Sequence, residues 1–217
     1  MPDAVFFDLD RTLTDTAPDF ADVLHHLQTE HGIPPTPLAT IRAEVSRSVR
    51  GMLDAGFGLT PDAPDYLALS RRFLALYAGH LCGKTRLFDG MATLLKPLEE
   101  REIIWGIVTN KPEHLARPLV DALGLAGRYA CVVGGDTTPR AKPFPDSLLH
   151  ASTLTRIEPQ HAIYVGDDLR HAGQAAGMTT LAARYGYLGR GASIDTWGAH
   201  HIINHPMDVL SFIEDNK

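Results

Sequence analysis

Six short apolar runs recur along the chain, each bounded by Asp, Gly or Thr: Ala4–Leu9, Ile103–Val108, Cys131–Val133, Ala162–Val165, Thr179–Ala183 and His201–Ile203. Most are continuous rather than alternating, the pattern of strands buried on both faces. Between them, apolar residues recur at helical spacing over Met91–Glu100, Glu113–Leu123, Pro145–Leu154 and Pro206–Glu214. Strand-helix alternation of this kind predicts an open parallel α/β sheet. One stretch breaks the alternation. From Ala17 to about Lys84 no strand pattern occurs, and three helical periods replace it: Asp19–His31, Ala39–Ala55 and Pro61–His80. Turn clusters at Gly32–Pro37 and Gly56–Pro61 separate them. The expected organisation is an α/β core of residues 1–15 plus 86–217, carrying an inserted helical unit over 16–85. Such a unit would lie over the carboxyl ends of the strands, where open α/β sheets place their ligand sites.

Composition narrows the class. A chain of 217 residues with 44% apolar and 21% charged residues can bury a sizeable core, which excludes global disorder. The longest apolar runs stop far short of the ~18 residues of a membrane helix. A formal charge of −6 argues against a nucleic-acid or anionic-membrane surface. The two cysteines, Cys82 and Cys131, form neither a CxxC pair nor a disulfide framework, which fits a reducing compartment. Met-Pro-Asp leads directly into an apolar strand without a basic region or cleavage site, so no secretory signal is expected and a cytoplasmic location is.

Four polar signals sit at the carboxyl ends of predicted strands: Asp8-Leu9-Asp10-Arg11-Thr12-Leu13, Thr109-Asn110-Lys111, Lys142-Pro143 after the turn Gly134-Gly135-Asp136, and Gly166-Asp167-Asp168. Each alone is weak, since a carboxylate after a strand is more often a helix cap or a turn residue. Together they gather carboxylates, a hydroxyl and an ammonium around one cleft mouth. Asp8, Asp10 and Asp167 would repel one another unless a hard divalent cation lay between them, and Mg²⁺ accepts such ligands while sharing a substrate phosphate. Thr109 and Lys142 supply the phosphate donors that carboxylates cannot. The combination points to phosphoryl transfer.

These four segments, in order and in spacing, resemble the motifs of the haloacid dehalogenase superfamily across essentially the whole chain, and the inserted helices resemble its small helical cap. The resemblance implies a Rossmann-like core. It also implies that Asp8 is a nucleophile forming an aspartyl-phosphate and that Asp10 is the general acid and base. Mg²⁺ would be held by Asp8, the Asp10 backbone carbonyl and Asp167, and phosphate by Thr109, Lys142 and backbone N–H groups around Leu9, Asp10 and Asn110. Within the superfamily, Asp15–Asp19 and Gly134–Leu149 resemble the phosphoglycolate phosphatase group. Thr109–Pro112 and Arg184–Tyr187 resemble relatives that dephosphorylate N-acetylmuramic acid 6-phosphate. The implied substrate is a small anionic phosphomonoester, 2-phosphoglycolate first, a sugar phosphate second, with a phosphomutase as the rival reaction. Two departures stand out. Arg11 occupies the usual glycine position after the second aspartate, and His171 the usual position of a further acid, which leaves Asp168 as the candidate brace for Lys142.

Selectivity is expected from the cap, where Ser46, Arg47 and Arg50 stand out. On one continuous helix Ser46 and Arg50 would be i, i+4 neighbours facing the same way. An arginine fork suits a carboxylate, while an exposed Arg50–Asp54 pair is the plain alternative. Three other signals are discounted. Gly79–Thr85 imitates a phosphate loop but follows a helix, the eleven histidines lack zinc spacing, and Phe73 and Tyr77 read as cap-helix core.

Overall fold

The computed structural model describes residues 1–167, 172–188 and 193–216. The chain opens with β1 (Ala4–Phe7), all four residues fully buried. The two-residue strand β2 (Thr14–Asp15) leads into helices α1 (Ala17–Glu30), α2 (Leu38–Glu44), α3 (Ser48–Phe57) and α4 (Tyr66–Gly79). Strand β3 (Arg86–Leu87) pairs antiparallel with β2, so both ends of the helical segment meet. The Asp19 carboxylate reinforces that junction, accepting hydrogen bonds from Lys84 N (2.6 Å), Thr85 N (3.0 Å) and Thr85 Oγ1 (2.7 Å). The chain then alternates through α5 (Met91–Glu100), β4 (Ile104–Val108), α6 (Glu113–Val120), β5 (Val132–Val133) and α7 (Asp146–Thr155). It closes with β6 (Ala162–Gly166), α8 (Ala172–Ala175), β7 (Thr179–Ala183), β8 (His201–Ile203) and α9 (Asp208–Asp215).

The main sheet is parallel, in the order β5-β4-β1-β6-β7-β8. Alternate residues of β1 face opposite layers. Val5 and Phe7 pack with Leu94, Leu98, Leu119 and Ile213 of α5, α6 and α9, while Ala4 and Phe6 pack with Leu148, Ala151 and Ala172 of α7 and α8. The chain runs from β1 outward through β4 to β5 and then crosses to β6, β7 and β8 on the other side of β1, so the crevice at the carboxyl ends of β4, β1 and β6 is the sheet's switch point. A separate apolar core, including Phe20, Leu24, Ile41, Met52, Phe73 and Tyr77, unites α1 to α4. Among the described residues no helix is long and apolar enough to cross a membrane.

Local departures from the sequence reading have local causes. β1 stops at Phe7 instead of Leu9, because the Asp8 and Leu9 carbonyls turn back to accept from Leu13 N and Thr14 N. The helix expected over Ala39–Ala55 is broken by a 3₁₀ turn at Val45–Arg47, with Ser48 at φ +52°. Gly51 permits the break, since a Cβ there would lie 2.4 Å from the Glu44 carbonyl oxygen. α4 starts only at Tyr66, beyond Pro61 and Pro64, and α6 ends at Val120 before Gly124 turns left-handed. The β2–β3 ribbon is too short to leave a periodic signal.

Candidate active site

Ending together, three strands carry their polar termini to one place: Asp8 follows β1, Thr109–Lys111 follow β4 and Asp167 follows β6. Lys142 joins them from the loop before α7. A cavity of about 240 Å³ is lined on the sheet side by Asp8, Asp10, Arg11, Thr109, Asn110, Lys111, Lys142 and Asp167, and on the helical side by Val45, Ser46 and Ser48.

The three acids do not face one another bare. Asp8 Oδ2 lies 2.8 Å from Lys142 Nζ, which also donates to Val108 O (3.0 Å) and to Tyr164 Oη (2.8 Å). Asp10 Oδ1 lies 3.3 Å from Lys111 Nζ and accepts from Thr16 Oγ1 at 2.7 Å. Asp167 forms an ion pair with Arg11 through Oδ2 and accepts from Thr12 Oγ1 through Oδ1 at 3.3 Å. The expectation that three carboxylates require a divalent cation for charge balance is therefore corrected: three protein cations already provide it.

Lys111 lies within the second motif, where sequence alone gives it no role in the site. Its ammonium sits over the rings of Phe20 (4.8 Å) and Tyr77 (4.6 Å), which stack on each other, so these residues of the helical core also box a cation from the sheet side. Burial works to release its proton, but the Asp10 charge and Tyr77 outweigh it, and Lys111 holds its proton above the ordinary lysine range. Lys111 thus ties the helical segment to Asp10. The contacts of Thr16, Tyr164 and Arg11 with the site likewise have no counterpart in the sequence reading. Tyr164 could have been read from the alternation of β6, which turns every second residue toward one layer; Thr16 carries no comparable signal.

The remaining sequence candidates divide. Thr109 is buried at the cavity wall, its Oγ1 accepting from Lys111 N at 3.1 Å. Asn110 Nδ2 donates to the Lys142 carbonyl at 3.0 Å, so this side chain fixes the lysine loop. Asp168 and His171 lie outside the described residues; among the described residues, Lys142 is braced by Asp8, Val108 and Tyr164. On the helical side only Ser46 of the three candidates lines the cavity. Arg47 pairs with Glu44 Oε2 (2.7 Å) and Asp54 Oδ2 (2.8 Å), while Arg50 is exposed and outside the lining. The kink at Ser48 separates Ser46 from Arg50, so the shared-face argument for them fails, and the partner of Asp54 is Arg47 rather than Arg50. Ser48, not chosen from sequence, takes the place beside Ser46.

Hard oxygen donors from Asp8, Asp10 and Asp167 around one cavity suit Mg²⁺ in kind. Among the described residues no three His, Cys, Asp or Glu side chains form a ready ligand cluster, consistent with each acid being turned to its own cation.

Residues 5–183 match the model of the family described as haloacid dehalogenase-like hydrolase. The N-acetylmuramic acid 6-phosphate phosphatase of Pseudomonas aeruginosa is 39% identical over 213 residues, covering 97% of this chain and 94% of the relative. The phosphoglycolate phosphatase of Xanthomonas campestris pv. campestris is 41% identical over 208 residues, covering 94% and 93%. In fold, the chain is similar to the crystal structure of a predicted phosphoglycolate phosphatase from Haemophilus somnus, with a TM-score of 0.85 at 23% identity and 97% coverage of both chains. With its motifs on the strand ends that the fold requires, the chain belongs to the haloacid dehalogenase-like hydrolase family and is a phosphatase.

Proposed function

We propose that this phosphatase is a Mg²⁺-dependent phosphomonoesterase acting through an aspartyl-phosphate on Asp8, in the cytoplasm, with residues 16–85 as a cap over a core of 1–15 plus 86–217. The observation that carries the reading is the pairing of Asp8 with a triply held Lys142 at the switch point of the sheet. A carboxylate oxygen of Asp8 attacks phosphorus as the ester P–O bond breaks, and the leaving alkoxide takes a proton from Asp10, which must enter this step protonated. Water then gives its proton to Asp10 and attacks the same phosphorus, breaking the bond to Asp8 and releasing inorganic phosphate. Both Thr16 and Lys111 engage Asp10 at Oδ1, which leaves Oδ2 for this proton traffic. Thr109, Lys142 and backbone N–H groups near Leu9, Asp10 and Asn110 bind the equatorial oxygens. Asp8, Asp10 and Asp167 would hold Mg²⁺, which when bound offsets charge between nucleophile and phosphate.

Relatives named for 2-phosphoglycolate and for N-acetylmuramic acid 6-phosphate leave two substrate classes, and one observation favours the sugar phosphate. The helical side of the cavity offers Val45 and two serine hydroxyls, whereas the cations of the described lining, Arg11, Lys111 and Lys142, are each paired with an acid. On the described helical side a glycolate carboxylate finds no cation, whereas sugar hydroxyl or amide groups find hydrogen-bonding partners there. Phosphate release should vanish with EDTA and return with Mg²⁺, and sugar 6-phosphates should exceed 2-phosphoglycolate in kcat/KM. Ser46→Ala should lower that ratio for the sugar ester by about 5–10-fold, the loss of one hydrogen bond, and leave p-nitrophenyl phosphate unchanged. Isomerised sugar phosphate without inorganic phosphate would instead establish a mutase.

A further inference from the structure

Arg11 has two features that do not arise from the reaction above. Its backbone is left-handed, φ +65°, a conformation that favours glycine, yet a long cation stands there. The turn is also closely packed: a Cβ on Gly186 would lie 2.1 Å from the Arg11 carbonyl oxygen. Its guanidinium is nevertheless buried, 3% of the residue being exposed, and reaches two anchors, the Asp167 carboxylate and the Tyr187 carbonyl at 3.2 Å. Asp167 is just as buried, and Thr12 holds its other oxygen. Each Asp167 oxygen therefore has a protein partner.

We propose that Arg11 is a built-in competitor for the Mg²⁺ site, holding Asp167 in the metal-free protein and releasing it when the cation binds. This rests on the assignment of Asp167 as a metal ligand. A guanidinium and Mg²⁺ cannot share one carboxylate oxygen without like-charge repulsion, which is strong in a pair this buried. The two occupancies exclude each other, and the apparent metal affinity is reduced by the fraction of molecules in which Asp167 is released. The Tyr187 carbonyl gives the guanidinium a second anchor, so the exchange needs a side-chain rotation and no rearrangement of the tightly packed turn. With Arg11 in place, the buried carboxylate is compensated in the absence of metal.

The experiment is Mg²⁺ titration by calorimetry, without substrate, on EDTA-treated and dialysed wild type, Arg11→Gly, Arg11→Gln and Asp167→Asn, with folding checked by circular dichroism. Arg11→Gly and Arg11→Gln should bind Mg²⁺ about 10-fold or more tightly than wild type, as expected when a competing charge-assisted contact is removed. Asp167→Asn should bind it far more weakly. Thermal unfolding gives a second readout. In EDTA, Arg11→Gln should melt below wild type because the buried Asp167 carboxylate loses the Arg11 charge, and saturating Mg²⁺ should raise its midpoint more than that of wild type. Equal or weaker Mg²⁺ binding by both Arg11 variants, with wild type binding normally and Asp167→Asn impaired, would overturn the competition alone. Unchanged binding by Asp167→Asn, or no binding by wild type, would overturn it together with the metal assignment.

Discussion

Replacing Lys111 with methionine removes the buried cation that joins the helical segment to the sheet-side acid, while keeping the length and apolar bulk of the side chain. The Lys111 side chain is 4% exposed and that of Asp10 20%. Breaking a buried ion pair by deleting one partner costs about 3–5 kcal/mol. Asp10 is one-fifth exposed and keeps its 2.7 Å bond from Thr16, which places this case at about 2–3 kcal/mol. The contacts with Phe20 and Tyr77 change little in the balance, because a thioether against aromatic rings gains about what a cation loses there. For a chain of this size the loss corresponds to a fall of about 4–12 °C in Tm. Urea unfolding at constant m is the assay. The pH dependence supplies an internal check. The folded-state pKa of Lys111 is raised above its unfolded value, so its contribution is fully present below about pH 10.4 and is lost only as pH rises through the raised folded value. The wild-type-minus-mutant difference should therefore be flat between pH 6 and 9. Pairing Lys111→Met with Asp10→Asn should cost less than the sum of the two single changes, since no charge is then left unpaired. A loss below about 0.5 kcal/mol, or a difference that shrinks between pH 6 and 9, would refute the reasoning.

Further outcomes follow from the same geometry. Asp10→Ala should cut turnover of alkyl phosphates by about 10²–10⁴-fold and of an activated aryl phosphate far less, since a phenolate needs little protonation; equal losses on both would remove Asp10 from the leaving-group step. Burial pushes the Cys131 thiol up to about 11, so at pH 8 iodoacetamide should label the half-buried Cys82 first and Cys131 only in denaturant. Labelling of both at the same rate in the folded protein would contradict the packing around Cys131.

The core of this molecule is legible from sequence because strands covered on both faces must be continuously apolar, as Ala4–Phe7 and Ala162–Val165 are. The motif acids are legible because strand ends at a switch point are where polar residues interrupt such runs. Pairing between elements is not legible in this way. That Lys111 reaches Phe20 and Tyr77, or Arg11 reaches Asp167, depends on contacts that no local period encodes. The error over Arg47 and Arg50 has the same origin. An unbroken helix over 39–55 satisfies every local rule, but the close approach of Gly51 to Glu44 folds it at Ser48, turning Ser46 and Ser48 to the cavity and Arg47 to Glu44 and Asp54.

Covalent chemistry at Asp8 is the centre of the account, and a quenched turnover reaction tests it. Enzyme mixed with Mg²⁺ and excess phosphomonoester, acid-quenched within the first turnover and mapped by peptide mass spectrometry, should carry one phosphoryl group on the peptide containing Asp8. Asp8→Asn should carry none and should lose at least about 10³-fold in kcat while keeping its fold. Phosphate release by wild type with no such adduct under any quench time, a phosphoryl group on another residue, or near-normal turnover by Asp8→Asn would contradict the assignment.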